Sequence, residues 1–267
     1  MLKVTLYTII RFYRQCTSTG AMSLIAIFGI ILHRRNLYEN MICSMFFAMI
    51  FNTLLKRFFQ IPLFPHLGIG YAFPSGHMHT IAMFFGFILP VAKDKRIKAL
   101  LSAIILFEIY TLMHSNFHDL ADIVGALGCA AIEILCYYQL VSEFGEKKGR
   151  KYALVIAITL SLFSVVLLPL INYTMPDYVW SALYSLLGIA TALFFIVDSE
   201  QLRSTLVQKF MALSTMTILT FVVYRIFQIA NFEQHYLSEM KFLLPPLILY
   251  SSIKFFSEDE QRPKKEL

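Results

Sequence analysis

The chain has 267 residues, of which 58% are hydrophobic and 15% are charged, and its mean hydropathy is +0.65. Soluble domains carry about 25% charged and about 45–50% apolar residues, so this composition excludes an ordinary soluble fold. The formal net charge of +6 does not indicate nucleic-acid binding, because the basic residues lie in short loops between apolar blocks.

Nine apolar blocks follow one another along the chain. They predict helices, because a backbone in hydrocarbon must pair its own polar groups. The blocks run over residues 21–32, 41–55, 77–92, 99–113, 123–141, 152–171, 179–197, 210–230 and 242–256. Residues 3–14 precede them and have the amphipathic pattern of a helix at the membrane interface. The sequence therefore predicts an all-α, polytopic membrane helix bundle with about eight or nine spans.

The strongest break in composition is the charged, glycine-containing segment 142–151. It divides the chain into a transmembrane core over residues 1–141, which we expect to hold the site, and accessory transmembrane helices over 152–256. Residues 257–267 are charged and are expected to form a cytoplasmic tail.

Basic residues are divided unequally between alternate loops. Sixteen lie in one set of loops and four in the other, and the positive-inside rule places the richer set in the cytoplasm. Segments 56–76 and 114–122 then lie on the extracytoplasmic side, of a bacterial inner membrane or a eukaryotic endomembrane. Nine spans with a cytoplasmic C-terminus place the N-terminus on the extracytoplasmic side. This conflicts with the positive-inside rule, because the N-terminal segment carries three cations: Lys3, Arg11 and Arg14.

Ionisable residues concentrate at the extracytoplasmic ends of the first spans, where the cost of burial marks them as functional candidates. Pro74–His77 opens the third block, and a helix start of this kind leaves backbone N–H groups free to cradle a phosphate. His118 and Asp122 lie four residues apart on one helical face, so the carboxylate can orient the imidazole and raise its basicity. Lys56 supplies a point charge for a phosphate oxygen, or else it is a snorkelling interfacial lysine.

These motifs resemble those of the type 2 phosphatidic-acid phosphatase superfamily, which includes lipid phosphate phosphatases and vanadium haloperoxidases. The family pattern is Lys-x6-Arg-Pro, then Pro-Ser-Gly-His, then Ser-Arg-x5-His-x3-Asp. The chain keeps the second motif at Pro74–His77, the end of the third at His118 and Asp122, and Lys56 from the first. Leu63 and Leu112 stand where the motif arginines would fall.

The resemblance implies a membrane lipid phosphatase that acts on a lipid phosphate or a polyprenyl diphosphate, without a cofactor or a metal ion. It makes His118 the nucleophile that forms a phospho-histidine, Asp122 its orienting partner, and His77 the acid that protonates the leaving oxygen. Three groups would hold the phosphoryl oxygens: Lys56 and the backbone amides of Ser75 and Gly76. Two residues are auxiliary candidates for the missing positive charge: Arg57 and His114.

Two alternatives stay open. The first is a lipid head-group phosphotransferase resembling the sphingomyelin-synthase-like branches, which use two histidines and an aspartate and lack the Ser-Arg pair. A phosphodiester carries one negative charge and needs fewer cations. The second is a non-catalytic lipid-binding protein with a relic site, which the retained histidines and aspartate argue against. Glu108 and Glu133 lie within predicted spans without an assigned role, and His79 is expected to be a packing residue.

Overall fold

The computed structural model describes residues 2–171, 173–196, 205–230 and 234–258, and these ranges are helical and contain no β-strand. The expected tail over 257–267 lies outside them beyond residue 258. The helices are α1 (Leu2–Cys16), α2 (Thr19–Leu32), α3 (Arg35–Phe59), α4 (Gly76–Gly86), α5 (Lys95–His114), α6 (Leu120–Phe144), α7 (Glu146–Leu170), α8 (Asp177–Thr191), α9 (Leu206–Ala230), α10 (His235–Glu239) and α11 (Leu244–Glu258).

Every predicted apolar block coincides with a helix, and the all-α membrane class is confirmed. Within the described ranges, six helices are long and apolar enough to cross a membrane: α3, α5, α6, α7, α9, and α8 together with its π-helical continuation, Ala192–Ile196. A seventh span would be the N-terminal pair Ile10–Cys16 and Thr19–Leu32, which is bent by 47°.

The expected number of eight or nine spans is not confirmed, because two of the apolar blocks form short helices. α4 has 11 residues and α11 has 15. At a rise of 1.5 Å per residue they are about 16 Å and 22 Å long, against a hydrocarbon core of about 30 Å. An apolar block alone does not distinguish a spanning helix from a buried one.

The chain forms two compact units, one of residues 1–30 and 35–174 and the other of 31–34 and 175–267. The sequence-based division placed the boundary at segment 142–151. The first unit instead extends past α7, because α7 packs against α3 and α6. Segment 142–151 is a tight connection at Gly145, whose φ of 77° suits glycine, and not a domain boundary.

α4 is the buried centre of the first unit. It packs against α3, α5 and α6, and every residue from Met78 to Gly86 is buried. At Gly86 a Cβ atom would lie only 3.0 Å from the Ile134 side chain of α6, so the missing side chain allows the close approach. The short helix is thus enclosed by longer ones and can carry polar residues that lipid does not reach.

The ends of the long helices in the first unit form two clusters. At one end, Glu39 of α3 accepts a hydrogen bond from Arg150 of α7 at 2.7 Å. At the other end, Arg57 of α3 donates to the carbonyl of Ile171, just after α7, at 3.0 Å. The basic loops lie at the first end, and segments 56–76 and 114–122 lie together at the second.

In the second unit α8 packs against α10 and α11, and α11 packs against α9. Gly188 of α8 is required for one close contact, since a Cβ atom there would lie 2.4 Å from the carbonyl oxygen of Leu243. Trp180 of α8 lies against the rings of Tyr184 and Tyr236. These contacts make a helical unit with aromatic packing at one end of α8.

The two-cluster arrangement predicts the outcome of cysteine labelling in a background that lacks the four native cysteines. A membrane-impermeant maleimide should label Ile69→Cys and Asn116→Cys from the extracytoplasmic side. Lys93→Cys and Lys148→Cys are the matched controls and should be labelled only from the cytoplasm. Labelling of positions 69 and 93 from the same side would contradict the arrangement.

Candidate active site

Asp122, in the first turn of α6, is the central residue of the candidate site. Its carboxylate is 3% exposed, and its Oδ2 lies 3.0 Å from Nδ1 of His118. Asp119 caps the helix by accepting a hydrogen bond from the backbone N–H of Asp122 at 2.8 Å. A buried carboxylate requires hydrogen-bond donors, and His118 supplies one to Asp122. The pair assigns the proton to Nδ1 of His118 and leaves a lone pair on Nε2.

The Pro74–His77 turn is bound directly to the same turn of α6. The backbone N–H of Ser75 donates to the carbonyl oxygen of Asp122 at 3.1 Å. The ring of Phe73 lies over Gly125, where a Cβ atom would come within 2.2 Å of the ring. The His-x3-Asp motif and the Pro-Ser-Gly-His motif are therefore held together by one main-chain hydrogen bond and one glycine contact.

The phosphate cradle differs from the sequence-based expectation in one group. The amide of Ser75 already donates to Asp122, and Ser75 is fully buried, so this amide is not available for a phosphate. The Ser75 hydroxyl caps α4 by accepting from the backbone N–H of Met78 at 3.5 Å. The N–H groups of Gly76 and His77 open α4 and have no backbone acceptor among the described residues. They form the remaining cradle.

Lys56 lies beside this cradle. Its Nζ donates to the carbonyl oxygen of Tyr71 at 2.8 Å, which holds the side chain toward the turn. A Cβ atom at Gly76 would lie 3.7 Å from Cε of Lys56, so the aliphatic end of the lysine touches the start of α4. The ammonium group is also close enough to Asp122 and His118 for charge interactions: Asp122 attracts it, and its own charge disfavours protonation of His118.

His77 faces a carboxylate that the sequence did not connect with it. Its Nε2 lies 3.3 Å from Oε1 of Glu108 on α5, although neither atom is in hydrogen-bond geometry. Glu108 is completely buried, whereas the His77 side chain is 32% exposed. His77 and His118 are within electrostatic range of each other. Each histidine of the site thus directs one ring nitrogen at a buried carboxylate: His118 Nδ1 faces Asp122, and His77 Nε2 faces Glu108. The other ring nitrogen of each histidine does not face these carboxylates.

A second polar cluster supports the turn from the core. Nδ2 of Asn52 lies 3.3 Å from the carbonyl oxygen of Pro74 and 3.3 Å from Nδ1 of His79. Because the amide donates, Nδ1 of His79 is the acceptor, and Nε2 carries the proton toward Glu133 at 3.1 Å. His79 is completely buried. The sequence predicted that His79 is a packing residue. Its Nδ1 also holds the amide of Asn52, and that amide in turn contacts the carbonyl oxygen of Pro74 in the Pro74–His77 turn.

The two auxiliary cations make other contacts. Arg57 donates to the Tyr71 hydroxyl at 2.7 Å and to the Ile171 carbonyl at 3.0 Å, so its guanidinium joins the loop to the end of α7. His114 is exposed and stacks on Tyr110, with ring centroids 5.3 Å apart. The structure does not bring either residue into contact with His77 or His118.

The environment of His118 favours its neutral form. The residue lies in the loop between α5 and α6, and burial lowers the pKa of its imidazole, which the hydrogen bond and charge of Asp122 oppose. An imidazole with a lowered pKa stays unprotonated at neutral pH and can act as a nucleophile. Geometry and charge together bring a neutral imidazole, a second histidine, a lysine ammonium group and two backbone N–H groups to the same end of the first unit.

Comparison with protein-family models, with curated proteins and with solved structures found no match for this chain.

The Asn52 cluster predicts a measurable contribution to stability. Asn52→Leu should lower the free energy of unfolding in micelles by about 1–2 kcal/mol, because it leaves the Pro74 carbonyl and His79 Nδ1 unpaired. Ser161→Ala is the control, since it removes a buried hydroxyl that has no partner in the described residues and should change stability little. Denaturant titration followed by circular dichroism measures both. Equal effects of the two substitutions would contradict the role of Asn52.

Proposed function

We propose that this protein is an integral-membrane lipid phosphatase that hydrolyses a lipid phosphate or a polyprenyl diphosphate through a phospho-histidine intermediate. The observation that carries the proposal is the hydrogen bond from the Ser75 amide to the Asp122 carbonyl, at 3.1 Å. It fixes the helix start that bears His77 against the helix start that orients His118. Two histidines that act on one phosphorus atom need such a constraint.

The first step transfers the phosphoryl group to the protein. Nε2 of His118 attacks phosphorus, the N–P bond forms and the bond to the leaving oxygen breaks. Burial lowers the pKa of His77 to about 4, and the negative charge of a bound phosphate opposes this shift by stabilising the protonated ring. His77 protonated in the complex gives its proton to that oxygen, so the lipid alcohol or polyprenyl monophosphate leaves without a full additional charge. Asp122 stabilises the positive charge that develops on the His118 ring, through the contact at Nδ1.

The second step restores the protein. A water molecule attacks the phospho-histidine, and its proton passes to the now neutral His77. The O–P bond forms, the N–P bond breaks, and inorganic phosphate leaves. Throughout both steps Lys56 and the free amides at the start of α4 stabilise the charge on the phosphoryl oxygens, which is the main requirement of phosphoryl transfer.

The surface around the site supports a lipid substrate. The last turn of α3 and the loop that follows it expose large apolar side chains at the end of the unit where the site lies: Phe58, Phe59, Ile61, Phe64 and Ile69. Exposed apolar patches of this kind mark contact with a membrane or a ligand. This patch supports a position of the cradle next to the region where a lipid head group meets the acyl chains.

A covalent intermediate should be detectable. Brief incubation with a ³²P-labelled lipid phosphate should give acid-labile, alkali-stable label on the wild type and none on His118→Ala. Asp122→Asn should retain a small fraction of the label, because the imidazole remains without its orienting charge. His114→Ala is the matched control, since it removes an exposed histidine. EDTA should not reduce labelling.

The molecule that accepts the phosphorus-containing group, water or a lipid alcohol, distinguishes hydrolysis from head-group transfer. If labelled phosphate from a diacylglycerol phosphate appears as inorganic phosphate, hydrolysis is supported. If a phospholipid diester labelled in its phosphate is supplied and the labelled head group appears on an added lipid alcohol, while the diacylglycerol is released, the phosphotransferase alternative replaces the proposal. Equal rates for wild type and His118→Ala on every substrate would favour the non-catalytic alternative.

The role assigned to His77 predicts a dependence on the leaving group. His77→Ala should lose about 10²–10⁴-fold in kcat on an alkyl phosphate, which needs a proton on the leaving oxygen. On a 4-nitrophenyl phosphate the loss should be less than about tenfold, because nitrophenolate leaves without protonation. Steady-state phosphate release measures both. A uniform loss on the two substrates would contradict the assignment of His77 as the acid.

A further inference from the structure

The N-terminal helix α1 is bound to α5 beside the site. The hydroxyl of Tyr13 donates to the carbonyl oxygen of Ile104 at 2.6 Å. The ring of Tyr13 meets that of Phe107 edge-on, with centroids 4.6 Å apart. Ile104 lies one turn before Glu108, the carboxylate that faces His77. The next residue of α1, Arg14, is therefore brought to the same end of α5.

The positively charged side chain of Arg14 lies near the residues of the candidate site. Its guanidinium carbon lies 4.5 Å from the centroid of the Phe117 ring, and Phe117 directly precedes His118. The side chain is half-buried and makes no ion pair with a described carboxylate. Its charge is within electrostatic range of His77 and Glu108.

The charge of Arg14 acts on the buried Glu108 carboxylate but forms no direct ion pair with it, so the half-buried guanidinium is only partly compensated. Contact with an aromatic face offsets part of the cost and holds the planar group in place. The N–H edge of the guanidinium is then free to donate two parallel hydrogen bonds, which suits two oxygens of a phosphate. The environment of Arg14 is that of a residue prepared for an anion.

We propose that Arg14 binds the phosphoryl oxygens of the substrate and supplies from α1 the guanidinium that Leu63 and Leu112 do not provide. The inference rests on the proposed function and deepens it. With Lys56 and Arg14 both present, the site offers two positive charges to the phosphoryl group. The substrate class that this favours is a phosphate monoester or terminal diphosphate, whose end group carries nearly two negative charges.

The direct test is anion binding, which does not depend on turnover. Inorganic phosphate and orthovanadate are titrated into the purified full-length protein in nanodiscs by isothermal calorimetry. Arg14→Gln should weaken their affinity by about tenfold or more, the usual effect of losing a charge-assisted, bidentate contact. Arg11→Gln, which removes an exposed cation on the same helix, should change affinity by less than about twofold.

Arg14→Gln could weaken anion binding by displacing α1 and not by removing the guanidinium. Arg14→Lys distinguishes these two causes, because it keeps the positive charge. We expect about a threefold weaker affinity, since an ammonium group cannot match two oxygens with a planar fork. A kinetic readout complements the binding: Arg14→Gln should raise KM for a phosphate monoester more than for a phosphate diester, with the larger effect on the doubly charged group.

The outcomes separate this inference from the proposed function. Arg14-dependent binding of phosphate without turnover or labelling of His118 would support the anion site and overturn the phosphatase. Turnover with unchanged phosphate and vanadate affinity in both Arg14 variants would overturn the role of Arg14 and leave the phosphatase in place. An equal loss in Arg11→Gln, or no binding of either anion to the wild type, would also overturn it.

Discussion

A buried carboxylate must be matched by donors, and the geometry of the candidate site follows from how this requirement is met at Asp122. Its side chain fixes the proton of His118 on Nδ1, and its carbonyl oxygen fixes Ser75. Asp119 in turn fixes the backbone of Asp122. One residue thus sets the orientation of the proposed nucleophile and the position of the turn that bears His77. Such a shared support keeps two reacting groups in register when the surrounding helices move.

Much of this arrangement could be predicted from the sequence, because it depends on local patterns. Each apolar block predicted a helix, the amphipathic pattern predicted α1, and the short α10 was not predicted. The spacing of His118 and Asp122 predicted their pairing, but the expected shared helical face was wrong, because His118 precedes the N-cap Asp119 and lies in the loop. The alternation of basic loops predicted that segments 56–76 and 114–122 lie at the same end. These are properties of neighbouring residues or of the chain's direction, and single-sequence reasoning captures both.

The remaining features depend on contacts between helices, for which sequence spacing carries no signal. Glu108 is near His77 only because α5 packs against α4. Asn52 reaches Pro74 only because α3 also packs against α4. The availability of the Ser75 amide likewise could not be judged before its partner in α6 was known. The length of α4 was misjudged for a related reason: a fully buried helix and a lipid-spanning helix are equally apolar, and only the neighbouring helices distinguish them.

Arg14 is one of three N-terminal cations that conflict with the predicted topology, and the proposed anion site would account for its position but not for those of Lys3 and Arg11. The rule describes a bias in loop composition, and a residue that interacts with a ligand can depart from it. Tyr13 binds α5 on the side of the site, so the cation that follows it lies near His77 and Glu108. If that end is extracytoplasmic, as the loop charges predict, a positive charge there is unfavourable for topology and favourable for a phosphate. An anionic head group at the site would offset that cost. In that case α1 belongs to the site, and the motif residues within 56–122 are only part of what the proposed chemistry requires.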